Sequence, residues 1–264
     1  MYIDSLHIYP IKSCQGIDLR QAELVATGLQ YDRHWMLVNP QGVFLSQREL
    51  PHMALIKTEL TDSSLIVSDG RQQSLQIPIQ ASSSRRKSVQ IWNDRCSAAI
   101  VSAEASRWFS NSLKTECELV FLPTTEQRLV DPEYAQNSQI VGFADGFPLL
   151  VVSKASIDLL NNKLGEQLDI GRFRPNIVLE GCPAHAEDDW SAIAIGDITI
   201  QLAKLCSRCV IPSIDQQNAQ KHPGILKTLA SYRRRDGKVY VGQNGLHDRH
   251  GLLKVGQTVD IIGH

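Results

Sequence analysis

Short stretches in which apolar and polar positions alternate fill the first hundred residues. Ile3 to Ile8 is an apolar segment stopped by Tyr9-Pro10. Trp35 to Val38 and Val43 to Ser46 flank Asn39-Pro40-Gln41-Gly42, whose Pro and Gly mark a hairpin turn. Ala54 to Leu60 and Ser64 to Val67 are joined by Thr61-Asp62-Ser63, and Leu75 to Ile79 supplies another strand. Strands this short and this closely spaced predict a barrel or sandwich. Ala81 to Ser88 is polar throughout and predicts an exposed loop in preference to a nucleic-acid patch.

Helical periodicity enters later. Ala103 to Leu113 places Trp108, Phe109 and Leu113 on one buried face. A second helix starts after Ser153 as N-cap, buries Ile157, Leu160 and Leu164, and stops at Gly165. A third, from about Gly224 to Arg235, buries Ile225, Leu229 and Tyr232, with Arg233-Arg234-Arg235 complementing the helix dipole in its last turn. Leu149 to Val152 and Ile177-Val178-Leu179 predict buried strands. Ile198 to Leu202, Lys238 to Val241 and Thr258 to Ile262 predict further strands, the first alternating cleanly and leading toward Cys206. The chain therefore predicts an α+β, mainly β protein of two β-rich units, residues 1–95 and 96–264, with the boundary between about 95 and 125.

Composition narrows the partners. The 264 residues carry 27 Lys plus Arg against 28 Asp plus Glu, a net charge of −1. No overall field draws such a chain to nucleic acid or to an anionic membrane, so an anionic ligand needs a local cluster of cations. No run approaches the roughly 18 apolar residues of a transmembrane helix, and the N-terminus lacks the basic region of a signal peptide. The six cysteines, Cys14, Cys96, Cys117, Cys182, Cys206 and Cys209, sit in a chain with enough core to need no disulfide framework. A reducing cytoplasm is the expected setting.

Cys206-Ser207-Arg208-Cys209 is a Cys-x-x-Cys pair, a spacing shared by several chemistries. A structural zinc site needs a second close pair, for which only His247 and His250 offer themselves. A thioredoxin-like site needs a following helix, and Val210 to Asp215 starts none. An iron–sulfur cluster needs about four thiolates. Two readings stay open: inert thiols, or one thiolate binding a soft metal whose other ligands come from a cofactor. Arg208 favours the second, because a guanidinium beside Cys209 stabilises the thiolate.

Groups suited to an anion recur elsewhere. Tyr9 to Gly16 holds Lys12 and Ser13 in a tight turn, a point charge and a hydroxyl that suit a phosphate oxygen. Arg33 opens a strand, where its fork can clasp a phosphate or an Asp. Gly171 to Asn176 carries Arg172, Arg174 and Asn176, and the Asn amide suits the edge of a heterocycle such as a pterin. Phe143 to Pro148 places Asp145 beside Gly146 in a loop. Each has an ordinary explanation by itself, as a solvated turn lysine, a turn residue before a strand or an Asp-Gly turn.

In this order, Tyr9 to Cys14, Asp32 to Trp35, Phe143 to Leu150, Arg172 to Val178, Glu187 to Trp190, Cys206 to Cys209, and Leu226 to Leu229 leading to Tyr232-Arg233 resemble the MOSC family, named for the C-terminal domain of molybdenum cofactor sulfurases. The resemblance covers essentially the whole chain and is closest to the branch with an N-terminal MOSC β-barrel, which includes the amidoxime-reducing components. It implies that a MOSC N-terminal β-barrel-like domain packs against a MOSC β-barrel, and that a molybdenum–molybdopterin cofactor is bound. Cys209 would be the metal ligand. Lys12, Ser13, Arg33 and Arg174 would hold the pterin phosphate, Asn176 and Arg208 would help to hold the cofactor, and Asp145 would lie beside the metal or pterin. Phe147 departs from relatives that carry a small polar residue there.

The implied activity is reduction of N-hydroxylated or N-oxygenated compounds by a molybdenum-dependent oxidoreductase. Some bacterial relatives carry a ferredoxin-like [2Fe–2S] domain and this chain has no such cysteine pattern, so the electrons are expected from an external flavin or iron–sulfur protein. The alternative from the same family is a sulfur carrier or cofactor-delivery protein holding a persulfide on Cys209. A zinc module using His247 and His250 is a third.

Overall fold

The computed structural model describes residues 1–80, 83–135 and 139–264. Its largest element is a nine-stranded sheet built from both ends of the chain. Across it run Asp260–Gly263, Ala192–Ile195, Ile198–Ser207, Lys238–His247, Leu149–Ser153, Ile177–Glu180, Tyr2–Ile8 and Ile17–Leu19, and the short Arg234–Arg235 pairs with Lys238–Val239 beside this path. One neighbouring pair is parallel, Leu149–Ser153 with Ile177–Glu180. A parallel pair needs a long crossover, supplied here by helix α2 (Lys154–Leu164) and a 3₁₀ turn at Ile170–Phe173. Both strands are buried on both faces, as their unbroken Leu, Ile and Val runs require. The two ends of the sheet then meet. Ile3 donates to the Gln257 carbonyl at 3.0 Å, Gly256 to the Ile3 carbonyl at 2.8 Å and Val259 to the Met1 carbonyl at 3.0 Å. These bonds close the sheet into a barrel, which removes its exposed edges.

Inside lies a core of Ile3, Leu6, Leu149, Val151, Ile177, Leu179, Ile193 and Ile200 with their neighbours. Outside, α2 and α3 (Gly224–Arg233) cover the barrel through Ile157, Leu160, Ile225 and Leu229. Leu164 and Tyr232, expected on the buried faces, are half-buried. Ser153 precedes α2 as predicted, but its hydroxyl bonds Ser156 at 2.5 Å and does not cap the helix backbone. Arg233 differs more. It is buried at the end of α3, donates through Nε to the Tyr240 carbonyl at 2.9 Å and pairs with Asp188, so an ion pair with the Glu187–Trp190 segment replaces the expected dipole role. Arg234 and Arg235 leave the helix altogether as a two-residue strand.

The remaining strands form a second unit. Trp35–Val38, Glu118–Phe121, Asp94–Ile100 and Arg86–Ile91 make one sheet, and Lys57–Leu60, Ser64–Ser68 and Leu75–Pro78 another. Helix α1 (Ala103–Leu113) buries Ala105, Trp108, Phe109 and Leu113 against Trp35, Leu65, Ile77 and Leu119. The expected boundary region, about 95 to 125, takes in most of the strand Asp94–Ile100 and all of α1, which packs with residues before it. Residues Gln21–Val25 and Gly28–Leu29 instead join Gly251–Lys254 in a three-stranded sheet, in which Gln21–Leu24 pairs with the end of the chain.

Local expectations shift in three places. Ala54 to Leu60 divides into a 3₁₀ turn at Pro51–Leu55, which Pro51 opens, and a strand that begins at Lys57. Val43 to Ser46 is held by single bridges to Val38 and Gln90 and is not a regular strand. Its turn still closes as predicted, because Gly42 at φ +82° lies where a Cβ would meet the Ser88 carbonyl at 2.3 Å. Of the polar segment Ala81 to Ser88, the first two residues lie outside those described and Arg86 onward is strand, with Val89 and Ile91 buried and Lys87 paired to Glu118.

His34 stands edge-on to Trp35 with ring centroids 4.5 Å apart, and burial pushes its pKa down to about 4. His185 is pushed to about 4 as well, by burial and then by Arg233 and Arg235. An unfolded histidine titrates near ~6.5, so the folded state binds fewer protons than the unfolded chain between these values and stability falls as the pH drops from ~6.5 toward ~4. The loss of melting temperature between pH 7 and pH 4.5 is therefore expected to shrink in His34→Asn, as calorimetry at both pH values would show.

Candidate cofactor site

Where the strand Tyr2–Ile8 ends, the chain turns tightly through Tyr9–Cys14 at one end of the barrel. The turn puts Ser13 at φ 69°. Arg33 at φ 45° and Arg174 at φ 54° share this left-handed region, which costs a residue with a side chain free energy and is kept where a site requires it. Three of the predicted ligand-holding residues are thus in strained backbone, and a fourth such residue, Trp92 at φ 55°, stands at the mouth of the same site.

Tyr9 is the hub. Its ring is fully buried, with the Arg33 guanidinium 4.3 Å and the Arg174 guanidinium 4.1 Å from its centroid. Arg33 reaches Asp32 at 2.5 Å, the Asn176 side-chain oxygen at 3.2 Å and the Arg174 carbonyl at 3.0 Å. Asp32 accepts the Tyr9 amide at 2.8 Å with its other oxygen. Arg174 donates through one nitrogen to the Cys14 carbonyl at 2.7 Å, while its other terminal nitrogen is buried with no partner. Burial, and then the charge of Arg33, pulls the Arg174 pKa down to about 10. Asn176 lines the cavity, but its amide is already engaged. Its oxygen accepts from Leu150 at 3.1 Å and from Arg33, and its nitrogen donates to the His7 carbonyl at 3.2 Å. Through these bonds Asn176 ties two strands to Arg33.

Lys12 is buried and donates to the Phe143 carbonyl at 2.8 Å and to Asp145 at 2.5 Å. Burial lowers its pKa, and Asp145 partly offsets this. Asp145 projects from its loop with 60% of its side chain open. The protein packed around the carboxyl acts to raise its pKa, but Lys12, a hydrogen bond from the Trp92 side chain and Arg48 outweigh this and hold it well below the usual carboxylate range. Arg128, which the sequence did not single out, braces this loop by donating to the carbonyls of Gly142, Ala144 and Asp145 at 2.9, 2.5 and 2.8 Å.

Both cysteines of the pair border the site, through different partners than expected. The strand Ile198–Ser207 runs five residues further than its alternation suggested and shifts register twice, after Leu202 and after Leu205. Such bulges turn a strand and re-aim its side chains, and they leave Cys206 on the strand with Cys209 beyond its end. Arg208 donates to the Cys206 sulfur at 3.0 Å and to the Phe173 carbonyl at 2.7 Å. The cation at Cys209 is Arg48, whose Nη2 lies 3.5 Å from Sγ. Arg48 belongs to neither a motif nor a strand, and only the chain's path brings it there.

These groups surround a cleft of about 140 Å³ lined by Lys12, Ser13, Arg33, Arg48, Asp145, Arg174, Asn176, Arg208 and both cysteines. Past Cys209, Asp145 and Phe147 it opens into a groove of about 910 Å³. Five cationic side chains and one carboxylate line the cleft. Counting Asp32 behind Arg33, three positive charges remain uncompensated on side chains that are largely buried, which is unfavourable and favours an anionic ligand. The unpartnered Arg174 nitrogen and the buried, unpartnered Arg208 Nε are two donors such a ligand could satisfy. One thiol beside a cation can ligate a soft metal once deprotonated. The donor set thus fits a phosphate-bearing cofactor that takes one protein thiolate. Zinc does not fit. Among the described residues no three His, Cys, Asp or Glu side chains cluster to hold a metal ion, and His247 and His250 line a different cavity. All six cysteines are free, as expected, and no described helix is long and apolar enough to cross a membrane.

The MOSC N-terminal beta barrel domain matches residues 1–116 and the MOSC domain matches residues 138–260. The chain belongs to the MOSC family, in the form that carries the N-terminal barrel domain. Over 99% of its length it is 32% identical to mitochondrial amidoxime-reducing component 1 of Mus musculus and 30% identical to that of Homo sapiens, covering 82% and 83% of those proteins. It is also 31% identical to the molybdenum cofactor sulfurase of Oryza sativa subsp. japonica over 92% of this chain, which is 32% of that protein. Its function is accordingly related to the molybdenum cofactor.

Asp32→Ala removes the one carboxylate behind Arg33 and the acceptor of the Tyr9 amide, both out of water. It is expected to cost about 3–5 kcal/mol of stability, the range for breaking a buried ion pair, as urea unfolding would measure.

Proposed function

We propose that the chain is a molybdenum cofactor-dependent reductase of N-hydroxylated compounds, supplied with electrons by a separate redox protein in a reducing cytoplasm. The observation that carries this reading is the convergence of one cation-supported thiol, Cys209, with an excess of buried positive charge and an unpartnered Arg174 donor in a single cleft. The names of the mouse and human relatives support the substrate class.

On this reading Lys12, Arg33 and Arg174 hold the phosphate of the pterin, with Ser13 as a hydroxyl partner. Asn176 and Tyr9 keep Arg33 and Arg174 in place. Cys209 would be the metal ligand, with the Arg48 guanidinium 3.5 Å from its sulfur. Arg208 packs over Phe173 and holds Cys206, the bystander of the pair. Bound there, the cofactor supplies the two-electron chemistry that turns an N-hydroxylated compound, two protons and two electrons into the dehydroxylated compound and water. Asp145, ionised at neutral pH, acts as a fixed acceptor at the rim and orients the substrate's N–H or O–H donors. Proton delivery falls to water entering from the open groove.

Similarity to a molybdenum cofactor sulfurase favours a second reading, in which Cys209 carries a persulfide. Metal and pterin analysis separates the two, since the reductase contains molybdenum and the carrier contains sulfane sulfur without it.

Cys209→Ser is expected to abolish reduction of benzamidoxime while circular dichroism and melting temperature stay near wild type. Cys206→Ser is expected to keep activity, and equal damage from both would sink the single-ligand assignment. A Lys12→Ala, Arg33→Ala double variant is expected to purify with reduced molybdenum and pterin; full occupancy would remove the role given to these cations.

A further inference from the structure

The groove beyond Cys209 is far more basic than the chain as a whole. Lys204, Lys227, Arg234 and Lys238 line it and are all exposed. None of the four forms a salt bridge among the described residues, and the one carboxylate lining the groove, Asp145, is already paired with Lys12. In a chain of net charge −1 this is a local concentration of one sign. Two are spaced by the fold: Lys227 sits on α3 and Arg234 at its end, with Ala230 between them one turn from each. The two-residue turn Asp236-Gly237, with both residues at positive φ, folds Lys238 back beside them. Leu226, Ala230 and Val239 add an apolar part to the lining. At about 910 Å³ the groove has the size of a small-molecule site.

We infer that this groove selects N-hydroxylated substrates that carry an anionic group, a phosphate monoester above all, at the end of the molecule remote from the N–OH. The inference rests on the reductase reading and adds a substrate class to it. The N–OH end lies toward Cys209 and Asp145, the body of the molecule crosses the apolar lining, and the anion meets Lys227, Arg234 and their neighbours. A dianionic phosphate gains more from such a set than a carboxylate, and a neutral compound gains nothing from it. The attraction is through solvent and weakens with salt.

The test compares benzamidoxime with its 4-carboxy and 4-phosphonooxy derivatives on the molybdenum-loaded protein, driven by a chemical reductant so that no donor protein takes part. KM is expected to fall in the order neutral, carboxylate, phosphate. In Lys227→Gln, Arg234→Gln the KM for the phosphate compound is expected to rise about tenfold, the combined effect of two exposed ion pairs, while kcat and the KM for benzamidoxime change less than about twofold. Calorimetric titration of the oxidised protein with the phosphate compound, without turnover, is expected to show the same loss of affinity. Equal KM values for the three compounds, or a variant that slows only turnover driven by a donor protein, would overturn the inference and give the surface to the donor. If no compound is reduced by loaded protein, the reductase reading fails, and the titration alone then decides whether the groove prefers the anion.

Discussion

Mutual repulsion of buried cations is the constraint around which this molecule is arranged. Lys12, Arg33 and Arg174 lie close together at one end of a barrel, away from the water that would screen them. The fold answers with whatever neutralises charge without filling the cleft. The Tyr9 ring presents a face to each guanidinium, Asp32 is buried behind Arg33, and backbone carbonyls of Cys14, Phe143 and Arg174 each accept one hydrogen bond from these cations. The compensation is incomplete, as the unpartnered Arg174 nitrogen records.

Everything needed to hold those cations comes from distant parts of the chain. Lys12 and Tyr9 follow the first strand, Arg33 precedes the strand Trp35–Val38, and Arg174 and Asn176 lie between a 3₁₀ turn and the strand Ile177–Glu180. Barrel closure by Met1–Ile3 against residues 256–259 makes the assembly possible, because it sets the first strand directly beside Ile177–Glu180. The two family domains therefore do not meet as separate globules here. Tyr2–Ile8 pairs with Ile177–Glu180 and Gln21–Val25 with Gly251–Lys254 of the second domain, and the cleft is built at that seam.

Much of this was legible in the residues. The hydrophobic runs at Leu149–Val152 and Ile177–Leu179 announce strands buried on both faces, and the period of Ala103–Leu113 announces a helix and its buried side. Lys12, Ser13, Arg33, Arg174, Asn176, Arg208, Asp145 and both cysteines of the pair all line the one cleft, so the short motifs identified the lining. They did not identify who touches whom. Arg208 neighbours Cys209 in sequence yet bonds Cys206, because successive residues at a strand end point in different directions. Asn176 carries the polarity a heterocycle would want, yet its amide satisfies backbone groups that would otherwise be orphaned.

The sequence by itself determined a mainly β chain, the buried faces of its helices, and the set of charged and thiol side chains available to a cofactor. Those follow from residue type and period, which are local properties. Tertiary structure alone decided that Arg48 serves Cys209, that Arg128 and Trp92 govern Asp145, that Arg233 is locked to Asp188, and that a basic groove opens past the thiol. Each of those depends on pairing across long separations, set by register and barrel closure. No local pattern of residues encodes which distant cation will stand beside a given sulfur.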